Sequence, residues 1–169
     1  MWNDTDAPLA IFYTFRTYGT WLHGDERSSV DRHNNKYGYP RIQPNEHFKN
    51  ISAKRLKHDP VLLNAARRES VEKAILETCR KRGWSIYAIA VRTNHSHVVT
   101  TGGCEDPDRA LIALKANATR IMRANGCWPF EHKPWAEKGS MRRLWNEKHI
   151  ADASDYVNFG QGKPLPIFD

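Results

Sequence analysis

The sequence has 169 residues, 40% of them hydrophobic, which is the size and apolar content of one folded domain, taken here as residues 1–169. Lys and Arg number 26 against 19 Asp and Glu, a formal charge of +7, so a polyanion such as nucleic acid is the natural partner class. The three cysteines, Cys79, Cys104 and Cys127, form no CxxC pair, which argues against a disulfide framework; no stretch reaches the ~18 apolar residues of a membrane span, so the expectation is a soluble, cytoplasmic protein that meets no membrane.

In chain order, Leu9 to Tyr18 is aromatic and β-branched and reads as a first strand, stopped by Gly19. Residues from about 24 to 57 are polar and broken by Gly, Pro and Asn, a long connection that is either a functional loop or carries small elements of its own. Asp59-Pro60 offers an N-cap and a proline for the first helical position. Leu62, Ala66, Ile75 and Cys79 then recur at near-helical spacing until Gly83, which predicts a helix over about 60–82. Trp84 to Val91 and His95 to Thr101 read as two strands joined by the polar Arg92-Thr93-Asn94, a hairpin. Asp106-Pro107 repeats the helix-start signal, and the stripe Leu111, Leu114, Ala118, Ile121 and Met122 predicts a second helix over about 107–124. Trp135 to Trp145 reads as two short strands around Gly139, and Glu147 to Phe159 as a last helix before Gly160.

That order predicts an α+β fold: a ferredoxin-like split βαβ antiparallel sheet with helices on one face, the other face open, and a C-terminal helix able to lie across it. In Asn94-His95-Ser96-His97 the histidines stand at i and i+2, so on a strand both imidazoles reach the same face while Ser96 and Val98 turn to the helices. Two adjacent neutral imidazoles make half of a divalent metal site. An ordinary pair of surface histidines would share the spacing, and Tyr156 on the last helix is the feature that sets this pair apart. A zinc site of His95, His97 and Cys104 lacks a spaced fourth ligand.

Three segments together resemble a known family. They are Phe15-Arg16-Thr17-Tyr18-Gly19-Thr20-Trp21-Leu22-His23-Gly24-Asp25-Glu26-Arg27, the stretch Arg92-Thr93-Asn94-His95-Ser96-His97-Val98-Val99, and Asp155-Tyr156-Val157 leading to Gly160-Gln161-Gly162. In this order they are similar to the single-tyrosine HUH transposases, among them the REP-associated tyrosine transposases and relatives in small bacterial insertion sequences. The resemblance implies a DNA nickase and strand transferase with Tyr156 as nucleophile, holding Mg²⁺ or Mn²⁺ through His95, His97 and a polar residue beyond the tyrosine, taken here as Gln161. It also implies a partner in single-stranded DNA with hairpins, and leaves monomer and homodimer both open. The chemistry is coherent, because a phenol with pKa about 10 is a weak nucleophile at neutral pH and gains from a metal that polarises the scissile phosphate.

Two departures from the pattern are visible. Ser96 stands where a bulky apolar residue is usual. Gln161 follows Tyr156 by five residues, about 140° around a regular helix, so it reaches the metal only if the helix ends or bulges; Asn158 is a substitute, and Asn94 is placed to orient a histidine. Arg16, Arg27, Arg120, Arg123, Lys138, Arg142 and Arg143 are candidate phosphate contacts, with Trp21 or Trp135 available for base stacking. The alternative readings are a domesticated, non-cleaving DNA-binding protein of the same fold and an RNA-directed domain.

Overall fold

The computed structural model describes residues 7–22, 25 and 40–169. Four strands, β1 (Ala10–Thr17), β2 (Ile86–Val91), β3 (His95–Thr100) and β4 (Trp135–Leu144), form one sheet in the order β2-β3-β1-β4, with every neighbouring pair antiparallel. The helices are α1 (Glu46–Lys54), α2 (Ala65–Arg82), α3 (Pro107–Ala124) and α4 (Glu147–Phe159). This is the expected ferredoxin-like α+β arrangement. Each half is a strand, a helix and a returning strand, and the first and third strands meet at the centre.

Alternation along β1 divides the two faces. Ile11, Tyr13 and Phe15 point into the main core with Val71, Ala74 and Ile75 of α2 and Leu111, Leu114 and Met122 of α3. The side chains between them face the other way. There α4 lays Ile150, Ala153 and Val157 on Ala10, Ala88, Val99 and Leu144, so the face predicted to be open is half covered by the tyrosine helix. The histidines stand on β3 beside that helix, His97 buried and His95 half-buried.

Two predicted elements, the start of the first long helix and the late hairpin, differ from the structure, and the long connection carries one small element. Helix α2 begins at Ala65, not near residue 60: Val61 N–H donates to Tyr18 O (2.9 Å) and Leu63 N–H to Thr93 O (2.7 Å), which keeps 60–64 extended against the end of the sheet with Val61 and Leu63 buried. Asn64 is the cap, accepting from Arg67 N–H. The 24–57 loop contains α1, capped by Asn45, while residues 23–24 and 26–39 lie outside the described set.

The late hairpin is a single strand. Gly139 sits within β4 because a Cβ there would lie 2.7 Å from Thr14 O and 3.0 Å from Leu111 Cδ2; it marks a close approach of strands rather than a turn. Register shifts between Phe15↔Gly139 and Thr17↔Trp135, so β4 carries extra residues over 136–138. Their carbonyls are collected by the buried Lys115 ammonium of α3, which donates to Ala136 O (2.8 Å), Lys138 O (3.0 Å) and Glu137 O (3.3 Å).

Candidate functional site

Strand β3 sends His95, His97 and Val99 to the α4 face and Ser96 and Val98 to the main core, as the spacing requires. The two imidazole centroids are 4.7 Å apart at 70°. His95 Nδ1 lies 2.7 Å from Asn94 Oδ1, an acceptor only, so that nitrogen carries the proton. His97 Nδ1 lies 2.8 Å from Thr14 Oγ1, its cross-strand partner on β1. Both rings thus have Nδ1 tethered. Burial, then the neighbouring His95 and Arg16, push the His97 pKa down to about 4 against an opposing hydrogen bond from Gln161, so His97 is neutral at physiological pH with a lone pair to offer.

Helix α4 starts at the Asn146 cap, which accepts from His149 N–H. Burying Val157 places its neighbour Tyr156 at the rim, 51% exposed, with its ring 5.7 Å from His97 and 6.1 Å from Phe12. The helix ends at Phe159, so regular helical geometry no longer governs Gln161. Gly160 makes the ending possible: a Cβ there would fall 2.7 Å from Tyr156 O and 2.9 Å from Tyr156 Cδ2. The chain turns back over the tyrosine. Gln161 Nε2 donates to Tyr156 O (3.2 Å), which aims Oε1 at His95 Nε2, also 3.2 Å away. Beyond it the chain is strapped to the body. Arg92 donates to Lys163 O (2.9 Å), the buried Arg68 donates to Pro166 O (2.6 Å) and pairs with Asp169, and Asp169 also accepts from Ala65 N–H.

With His95 protonated on Nδ1, its Nε2 lone pair and Gln161 Oε1 are two acceptors facing each other, an arrangement that demands a proton or a cation between them. Their 3.2 Å separation is close to the edge of an octahedron, about 3.0 Å for metal bonds near 2.1 Å. Imidazole nitrogens and an amide oxygen are ordinary donors for a divalent ion, and the residues present fit one. Among the described residues there is no cluster of three or more His, Cys, Asp or Glu side chains fit to hold a metal. Cys104 donates to Thr101 O at the far end of β3 from His95, which removes the zinc alternative.

Of the other residues singled out, Arg16 flanks His95 in the register and stacks its guanidinium 3.4 Å over Trp21. Arg142, opposite Phe12, shares the histidine face; Arg143, opposite Ile11, faces away from it, and Lys138 is exposed in the bulge. Arg120 is committed to Glu77 (2.7 Å) and Asn117, and Arg123 to the carbonyls of Phe130 and Glu131, all remote from the histidines on the α2 and α3 side. Arg27 lies outside the described residues. Trp135 is a core residue whose Nε1–H donates to Lys115 O and Thr119 Oγ1 (3.1 Å each), so it stacks on no base. Asn158 is exposed on α4. Thr14 and Phe12 were not legible as site residues beforehand; strand alternation places them on one face, and only the β1–β3 register makes them neighbours of His97.

Two histidines on a central strand of the four-stranded antiparallel sheet thus share a face with a tyrosine on the helix that crosses it. Among solved structures, that of a REP-associated tyrosine transposase bound to a REP hairpin is similar over 94% of this chain and 69% of that one, with 15% identity and a TM-score of 0.49. No family model and no curated protein matches the sequence.

Proposed function

We propose that this protein is a metal-dependent single-stranded DNA endonuclease and strand transferase, a transposase in outline. The observation that carries the reading is the convergence of His95 Nε2 and Gln161 Oε1 at 3.2 Å beside His97, with the half-exposed Tyr156 ring at the same mouth. The motif resemblance supplies the reaction type, and the formal +7 charge suits its substrate.

His95, His97 and Gln161 would hold the cation, Mg²⁺ or Mn²⁺, which would supply Lewis-acid polarisation of the scissile phosphate. Asn94 Oδ1 keeps the His95 imidazole in the Nδ1–H form, leaving Nε2 as its donor, and Thr14 Oγ1 holds the His97 ring in place through Nδ1. Tyr156 Oη attacks phosphorus and the P–O bond to the 3′ oxygen breaks. That oxygen leaves as a hydroxyl, taking up a proton in place of the one the phenol gives to solvent. The 5′ phosphate stays on the tyrosine. A 3′-hydroxyl of another strand reverses the step, re-forming a phosphodiester and returning the phenol, with no need of ATP because the ester is conserved. Phe12, packed at 5.3 Å from His97 and 6.1 Å from Tyr156, fixes the spacing of the ring and the ligand. DNA hairpins beside the cleavage point would supply shape for recognition.

The test is a denaturing gel of the protein with labelled single-stranded DNA containing hairpins, in Mn²⁺, Mg²⁺ or chelator. A metal-dependent shifted band that disappears in Tyr156→Phe is the expected result. Tight binding with no adduct under any metal would instead favour a non-cleaving DNA-binding protein of the same fold.

A further inference from the structure

The end of the sheet where Thr17, His95 and Trp135 lie opens, on the side away from α4, into a groove of about 750 Å³ that the proposed chemistry does not use. Its lining is aromatic to an unusual degree. His58 and His132 stack face to face with centroids 3.8 Å apart and planes 3° from parallel. Phe130 stacks on the same His132 at 5.4 Å, while Trp128 meets both edge-on from below. Trp128 is buried, anchored by its Nε1–H to His132 O and by Arg67 5.1 Å over its ring, so the platform has a fixed floor. Phe130, by contrast, is 47% exposed, and His58 is exposed too. Arg123 holds the loop in place through the carbonyls of Phe130 and Glu131. Lys57 and Arg67 stand on the walls with Asp59, leaving the groove net positive.

We infer that this groove binds unpaired nucleobases of the single strand, stacking them on Phe130 and the His58–His132 pair. A rigid, solvent-facing run of π surface flanked by cations matches the flat faces and phosphates of single-stranded nucleic acid. Continuity with the histidine face supports that occupant. Tyr18, whose ring meets His58 at 6.0 Å, stands just past the end of β1, two residues after Arg16, and Val61 and Leu63 stitch the groove wall to Tyr18 and Thr93. A strand rounding this end of the sheet runs from the groove towards His95. The inference rests on the single-stranded DNA reading above, and adds to it a second contact that grips bases instead of phosphates.

The experiment compares affinity for a labelled, hairpin-free oligothymidylate with affinity for a strand of equal length carrying abasic sites, by fluorescence anisotropy in chelator. Wild type should prefer the strand with bases. Phe130→Ala should weaken that strand on the order of tenfold and leave the abasic strand unchanged, while Phe130→Trp should keep the preference. Equal affinity of wild type for both strands, or an undiminished preference in Phe130→Ala, or an equal loss on both strands, would overturn the inference. Cleavage plays no part in this readout. A base preference that depends on Phe130 in a protein forming no Tyr156 adduct would sink the nuclease reading and leave the groove standing.

Discussion

Gln161→Ala separates the metal from the fold. The side chain makes two contacts, one through Oε1 towards His95 Nε2 and one from Nε2 to Tyr156 O, each at 3.2 Å. The second is redundant for the helix end, since Gly160 N–H donates to the same carbonyl at 2.8 Å. Stability without metal should therefore move by no more than about 0.5 kcal/mol, as at an ordinary surface position. The first contact belongs to one of the three donors proposed for the cation among the described residues. Losing an outer-shell partner of a metal site costs roughly 10–100-fold in affinity, and a direct donor should cost at least that, about 1.4–2.7 kcal/mol. Titration calorimetry of Mn²⁺ into DNA-free protein reads the affinity, and urea unfolding in chelator reads the stability. Gln161→Glu keeps the reach and adds a charge, so it should bind Mn²⁺ more tightly than wild type. Unchanged Mn²⁺ affinity in Gln161→Ala would refute the assignment, and so would a loss of stability as large as the loss of affinity.

Replacing both His95 and His97 with Ala should abolish adduct formation at every Mn²⁺ concentration tried while salt-sensitive DNA binding persists; residual adduct would show that the imidazoles are not the ligands. Ser96 is fully buried and its hydroxyl has no partner among the described residues, so Ser96→Ala should stabilise by about 1 kcal/mol and raise Tm by roughly 2–4 °C, measured by calorimetry. A fall in Tm would mean the hydroxyl is satisfied in solution. Burial, then the charge of Lys133, against the opposing Glu137, lowers the Lys115 pKa to about 8 from 10.5. Below pH 8 folded and unfolded chains both hold that proton, whereas between 8 and 10.5 the unfolded chain holds more, so stability should rise with pH there by up to roughly 1.4 kcal/mol per pH unit. The comparison is urea melts at pH 8 and 9.5 on wild type and Lys115→Met, whose profile should lack this rise. Identical profiles would contradict it. Above pH 10 Tyr13, whose pKa burial raises, contributes in the opposite direction.

Helices α3 and α4 were legible nearly to the residue, because Asp106-Pro107 and the apolar stripe between Glu147 and Phe159 are local signals that tertiary contacts do not override. The start of α2 was not. Asp59-Pro60 carries a genuine cap-and-proline pattern, but backbone bonds to Tyr18 and Thr93 hold the next four residues extended, and those partners are distant in sequence. Gly139 shows the same limit: in a list of residues it signals a turn, and only the strand crossing beside Thr14 O explains it. At the site, the i, i+2 histidines and Tyr156 stood out from spacing and motif. The reach of Gln161 turned on whether the helix ended at Gly160, and Thr14 entered only with the register. The groove at Phe130 had no pattern at all, being assembled from the end of α1 and the residues after it, Arg67 of α2 and the distant loop that carries Trp128 to His132.

The bulge in β4 has a further consequence, because among the described residues β4 has β1 on one side and no strand on the other. Ten residues of unpaired edge would ordinarily template the addition of another chain. Here the carbonyls of 136–138 are turned inward and taken up by one ammonium, and Arg142 and Arg143 guard the remainder of the strand with charge. Lys115, from inside the core, thus keeps those three carbonyls bonded within the chain instead of offered to another one.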